Sequence, residues 1–254
     1  MFRVVIPARY ASARLPGKVL LPIGGKPMLQ RVHERASRAG AQRVLIATDD
    51  ERIARAARAF GAQAVMTAAS HQSGTDRIAE VARADNWGAG DIVVNLQGDE
   101  PLMPAALIRQ VVALLESAPQ ADIATLATPI GSLAELLDPN AVKVVCDAGG
   151  RALYFSRAPI PWNRAGAAGG LASQTDASGA RRHVGLYAYR VGALLRLAAL
   201  APSALEMREK LEQLRALENG LVIEVADALE PPGPDVNTFA DLERAAALLA
   251  AAAR

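Results

Sequence analysis

Short aliphatic and β-branched runs alternate along the chain with stretches whose apolar positions recur every three to four residues. The first kind of pattern fits a strand and the second an amphipathic helix. The runs predict strands over residues 2–6, 43–48, 64–66, 91–96 and 123–128. Helical spacing fills the gaps over residues 27–39, 50–60, 75–84 and 104–116. This β–α alternation predicts a mostly parallel sheet with helices on both faces. Further along the regularity loosens. Strands are expected over residues 141–146, 153–155, 184–189 and 221–225, with helices over 205–219 and 239–252. Ser203 and Thr238 stand where they cap these helices, and Gly220 where the first of them stops. Residues 164–182 are rich in Gly, Ala, Ser and Thr and read as a mobile surface loop. The length of 254 residues fits one α/β domain spanning 1–254, with a subdomain around 137–200 inserted into it.

Composition narrows the functional classes. A net charge of +2 gives no global field for nucleic acid or an anionic membrane, so any need for positive charge must be met locally. No apolar run approaches the roughly 18 residues of a membrane span, and the N-terminus does not read as a signal peptide. The single cysteine, Cys146, lies in an apolar run and reads as a buried structural thiol. The absence of a possible intrachain disulfide suits a cytoplasmic setting.

In open α/β sheets ligands bind beyond the carboxyl ends of the strands. The segment after the first strand is Pro7-Ala8-Arg9-Tyr10-Ala11-Ser12-Ala13-Arg14-Leu15-Pro16-Gly17-Lys18. It matches neither the dinucleotide fingerprint nor the Walker pattern. It does place Arg9, Arg14 and Lys18 together, two guanidinium forks and a point charge suited to a polyanionic triphosphate. A solvated basic loop is the competing reading of those cations alone. Asp99 follows the strand 91–96, where a carboxylate can bind Mg²⁺ against phosphates or can simply serve the turn. His183 and Tyr187 fall on one side of a strand, which suits a shared pocket and also a hydrogen-bonded core pair.

The loop resembles the signature of the sugar nucleotidyltransferases, and in this form that of the 3-deoxy-manno-octulosonate (KDO) cytidylyltransferase family. Further blocks follow in that family's order: Gly25-Lys26-Pro27-Met28, Ala47-Thr48-Asp49, His71-Gln72-Ser73-Gly74-Thr75-Asp76-Arg77 and Gln97-Gly98-Asp99-Glu100-Pro101. After them come Pro139-Asn140-Ala141-Val142-Lys143, Ala152-Leu153-Tyr154-Phe155-Ser156-Arg157, Arg182-His183-Val184-Gly185-Leu186-Tyr187 and Leu211-Glu212-Gln213-Leu214-Arg215.

The resemblance implies a three-layer α/β nucleotidyltransferase fold with a small β-rich subdomain, assembled as a homodimer. It implies transfer of CMP from CTP to KDO, with pyrophosphate released, for lipopolysaccharide synthesis. A related keto sugar acid as acceptor, or a non-catalytic nucleotide-binding paralogue, are the alternatives. Lys18, Arg9 and Arg14 are the implied catalytic cations. Pro7, Ala8, Ser73, Gly74, Arg77 and Asp99 join them around the nucleotide. Gln97, Arg157, His183, Tyr187 and Glu212 are implied for the anionic sugar. The family usually carries Val-Asp-Thr before its last helix, with that aspartate as the second Mg²⁺ ligand. Here the stretch reads Val236-Asn237-Thr238, so a neutral carbonyl oxygen stands in for a carboxylate.

Overall fold

The structure is a computed structural model that describes residues 1–11, 15–165 and 176–252. Its strands are β1 (Phe2–Ala8), β2 (Pro22–Ile23), β3 (Lys26–Pro27), β4 (Arg43–Thr48), β5 (Gln63–Met66), β6 (Ile92–Asn95), β7 (Ile123–Pro129), β8 (Lys143–Cys146), β9 (Ala152–Ser156), β10 (Arg181–Arg190) and β11 (Ile223–Asp227). The helices are α1 (Met28–Ser37), α2 (Glu51–Ala59), α3 (Gly74–Ala84), α4 (Ala105–Ser117), α5 (Leu133–Leu137), α6 (Val191–Ala199), α7 (Ala204–Glu209), α8 (Gln213–Glu218) and α9 (Phe239–Ala252).

The main sheet runs β11-β7-β10-β6-β1-β4-β5. Every pairing on that path is parallel except the two that β10 makes with β6 and β7. The expected mostly parallel sheet is therefore present, with one antiparallel strand inserted near its middle. The hairpin β8–β9 hangs from β10 through Arg182↔Lys143, so the region expected as a subdomain shares the main sheet's hydrogen bonding.

β1 shows why the sheet is buried on both sides. Val4 and Ile6 pack into a cluster with α1, α4 and α9, whereas Val5 packs into another with α3, α6 and α8. Alternate side chains of a strand point to opposite faces, so an unbroken apolar run supplies two cores at once.

Three expectations changed in the structure. The single helix over 205–219 is two helices, because Lys210 takes a left-handed conformation (φ 54°, ψ 47°) between them. The turn lets Leu211 and Leu214 bury, while Glu209 accepts bonds from the Ser156 hydroxyl (2.7 Å) and the Arg157 amide (2.9 Å). Helices α5 and α6 had no counterpart in the sequence pattern. Of the expected loop, residues 166–175 lie outside the described residues, and so does Arg14. Cys146 is half-buried on β8, and burial pushes its thiol up, away from the thiolate a nucleophile needs.

Candidate active site

Two pockets open at the carboxyl edge of the sheet and share Gln97, Asp99 and Asn237. The first, about 480 Å³, is walled by the end of β1, the Lys18 turn and the start of α3. The second, about 690 Å³, lies between β10, the β7–β8 connection and the segment before α9.

Local geometry explains the first wall. Gly17 sits at φ +69°, and a Cβ there would come within 2.9 Å of the Tyr10 ring, so the turn that presents Lys18 requires glycine. Its amide closes the loop on the Tyr10 carbonyl at 2.9 Å. Ser73 caps α3 in a reciprocal capping box with Asp76. At Gly74 a Cβ would stand 3.0 Å from Pro7, so this glycine lets the helix start come up against the end of β1. The amides of that first turn lack helical partners, and a helix N-terminus of this kind favours phosphate.

Lys18 stands where the pockets meet. Its ammonium donates to Asp99 Oδ2 at 2.6 Å, to the Val236 carbonyl at 3.0 Å and to Asn237 Oδ1 at 3.2 Å. The Val236 amide in turn donates to the Asp99 carbonyl at 2.9 Å, which binds the segment before α9 to the turn after β6. Asn237 thus faces Asp99 across a cation. The groups that accept from Lys18 are all oxygens, the set a hard divalent cation prefers. Among the described residues no cluster of three His, Cys, Asp or Glu forms a complete metal cage. A metal held here needs phosphate or water oxygens as well.

Charge in the second pocket is lopsided. Asp99, Glu100, Glu135, Asp138, Asp235 and Asp241 line it, against Arg157 and Arg182. Glu100 was not singled out by sequence reasoning, although it adjoins Asp99. Its Oε2 is buried without a hydrogen-bond partner. Burial first, then the charges of Asp99 and Asp235, push this carboxyl up to about 8.

The predicted residues divide between the pockets. Pro7, Ala8, Arg9, Lys18, Ser73, Gly74, Arg77 and Asp99 all line the first. Arg77 is nonetheless buried and committed, donating to the Thr67 hydroxyl and pairing with Asp49 at 3.3 Å. Glu212, expected at the sugar, lines the first pocket instead, where it accepts from the Ser73 hydroxyl at 3.3 Å. Its carboxyl is shifted upward by burial. Gln97, Arg157 and His183 line the second. Arg157 is tied down there, its guanidinium donating to the carbonyls of Glu209 (2.7 Å) and Pro139 (2.8 Å).

Tyr187 lines neither pocket. It sits behind His183, ring centroids 5.2 Å apart, with its phenol shifted upward by burial. Of the predicted pair, His183 reaches the pocket and Tyr187 supports it. Burial also lowers the His183 imidazole to about 3, so the ring is neutral. Lys143, read only as part of a motif, is fully buried and donates to the carbonyls of Asp138 (2.8 Å) and Arg157 (2.7 Å). It fastens two walls of the second pocket together.

Residues 3–224 match a family profile described as Cytidylyltransferase. A 3-deoxy-manno-octulosonate cytidylyltransferase of Thioalkalivibrio sulfidiphilus is 56% identical over 250 residues, 98% of this chain and 99% of the relative. The protein of that name from Pseudomonas syringae pv. tomato is 55% identical over 254 residues, 98% of each. Among solved structures, a CMP:2-keto-3-deoxy-manno-octonic acid synthetase complexed with CTP superposes with a TM-score of 0.88 at 43% identity, over 99% of both chains. A cytidylyltransferase of Leptospira borgpetersenii shares the fold at a TM-score of 0.63 and 17% identity, over 98% of this chain and 86% of that one.

Proposed function

The chain belongs to the cytidylyltransferase family, and from that premise we propose that it transfers CMP from CTP to 3-deoxy-D-manno-octulosonate and releases pyrophosphate. The observation that carries the reading is the pair of pockets meeting at Gln97, Asp99 and Asn237. One chamber has a phosphate-favouring wall. The other offers many oxygen acceptors, which suit a polyhydroxylated sugar. Their junction is where a bond between the two substrates forms.

The sugar's anomeric oxygen attacks the α-phosphorus in line. The new oxygen–phosphorus bond forms as the bond from the α-phosphorus to pyrophosphate breaks, and the hydroxyl proton leaves to solvent. No covalent enzyme intermediate is needed, so the protein acts by positioning and by stabilising charge. Pro7, Ala8, Ser73 and Gly74 cradle the nucleotide. Arg9 and Arg14 grip the leaving pyrophosphate. Lys18 turns from its carboxylate toward the α-phosphate as charge develops there. Gln97, Arg157 and His183 shape the acceptor side, and Glu212 borders the nucleotide next to Ser73.

Mg²⁺ is the proposed metal, with Asp99 and Asn237 as the residues that would hold it. When bound it supplies positive charge against the phosphates and the sugar carboxylate. The acidic lining of the second pocket supports that need, because two anionic substrates must approach it. The lone Cys146 and the nucleotide substrate support a cytoplasmic setting, and the product would serve lipopolysaccharide synthesis. A homodimer is proposed from family resemblance.

The test is pyrophosphate release with CTP, Mg²⁺ and a panel of sugar acids. Turnover with KDO is expected. Turnover only with another keto sugar acid would overturn the acceptor, and CTP binding without turnover on any acceptor would overturn catalysis. In the same assay Asn237→Asp is expected to lower the Mg²⁺ concentration needed, and Asn237→Ala to raise it. An unchanged Mg²⁺ titration in Asn237→Ala would remove Asn237 from the metal site.

A further inference from the structure

The hydroxyl of Thr125, on β7, is fully buried and has three neighbours. It lies 3.0 Å from the Val184 carbonyl, 2.8 Å from the Leu186 carbonyl and 3.0 Å from His183 Nε2. A hydroxyl has one proton to give and two lone pairs to accept with. Two carbonyls and a ring nitrogen therefore compete for one proton.

The ladder says where that proton goes. β10 pairs Val184 with Leu126 and next Tyr187 with Thr125, so Gly185 and Leu186 are extra residues in a bulge. Bulged residues lose ladder bonds. Val184 and Leu186 are buried, so their carbonyls depend on a donor from within the protein, and a buried acceptor left unmatched is costly. A carbonyl cannot change its role. An imidazole can, by moving its own proton from one nitrogen to the other. The arrangement that satisfies more groups has Thr125 donating to a bulge carbonyl and accepting from His183 Nε2–H.

We infer that Thr125 is a positioning residue of the acceptor pocket, fixing His183 as the Nε2–H tautomer and leaving Nδ1 as a hydrogen-bond acceptor for a hydroxyl of the sugar. This rests on the reading of the second pocket as the acceptor site, which His183 lines. The ring is held in place by Phe155, edge-on at 5.1 Å and 82°, and by Tyr187, tilted at 5.2 Å and 46°. Burial keeps it neutral, so it carries one ring proton, and assigning that proton to Nε2 assigns Nδ1 as well. The two extra bulge residues also preserve the side-chain alternation, which is why His183 and Tyr187 still share a face.

The experiment is two-bond ¹H–¹⁵N correlation of the histidine rings in the full-length protein at neutral pH. H183N identifies the His183 signals by their loss, leaving those of His33 and His71. The Nε2–H pattern is expected in the wild type, and this measurement needs no substrate. In T125V the His183 nitrogens should shift toward a tautomer mixture. Its KM for the sugar should rise about tenfold, the equivalent of about 1.4 kcal/mol, with the KM for CTP unchanged. T125S, which restores the hydroxyl, should recover both. A wild-type Nδ1–H pattern would overturn the proposal, as would T125V spectra and sugar KM identical to wild type. An H183N enzyme with the wild-type sugar KM would take His183 out of the acceptor site and overturn the role toward the sugar, whatever the tautomer.

Discussion

Replacing Lys143 with methionine tests whether the second pocket is held open from within. The lysine is fully buried, and its ammonium donates to the carbonyls of Asp138 and Arg157 at 2.8 and 2.7 Å. Both residues line the second pocket. Methionine fills a similar volume and strands both carbonyls. A hydrogen bond from a charged donor contributes about 1.5–3 kcal/mol net, so the two together amount to roughly 3–6 kcal/mol. Removing the need to desolvate an ammonium offsets part of that loss. A net destabilisation of about 2–4 kcal/mol is expected, or a fall in Tm of roughly 5–15 °C for a chain of this size. The functional signature is more specific. Neither bond touches the first pocket, so the KM for the sugar should rise at least about tenfold, while that for CTP stays within about twofold. Burial lowers the Lys143 pKa below its usual 10.5. Just below pH 10.5 the unfolded chain holds more of this proton than the folded chain does, so the wild type gains stability as pH rises toward that point. Lys143→Met should lose that gain. A Tm within about 2 °C of wild type, or equal rises in both KM values, would refute the reasoning.

Two further outcomes are expected. Lys18→Ala should lower turnover about 10²–10³-fold at saturating substrates with folding retained by circular dichroism; near-normal turnover would reduce Lys18 to a structural partner of Asp99. His183 titrates at about 3 in the fold against 6.5 in an unfolded chain. The unfolded state therefore takes up a proton between those values, and stability falls as pH drops through that window. Denaturant titrations of His183→Asn should show a shallower acid slope, and an unchanged slope would mean the ring is not the buried neutral group described.

The layered sheet was legible in the sequence because its strands are short, apolar and regularly spaced. Helix boundaries mostly fell within a residue or two, and Ser203 and Thr238 accept the expected capping bonds. The break at Lys210 was not legible. A lysine in a left-handed conformation is imposed by what its neighbours must reach, Glu209 toward β9 and Leu211 toward the core. That turn also carried Glu212 to the lining of the first pocket rather than the second. The site was legible in its parts, through motif resemblance, but not in its contacts. Lys18 meets Asp99 and Asn237 across 81 and 219 positions of sequence, a distance no local periodicity spans. Thr125 left no chemical signal, and Lys143 only its place in a motif block, since neither residue type inside an apolar strand announces what its polar end will reach.

The bridge from Lys18 to Asn237 also sets an order of events for a chain emerging from the ribosome. Strands β1, β4, β5 and β6 can pair once the first hundred or so of the 254 residues are out. Asp99 and the loop of Lys18 then already face one another across the sheet edge. The third corner arrives only with the segment just before α9, when Val236 binds back to Asp99 and Asn237 to Lys18. A nascent or truncated chain that ends short of residue 237 would carry every lining residue of the first pocket but Asn237, and would lack the corner that ties Lys18 to the segment before α9.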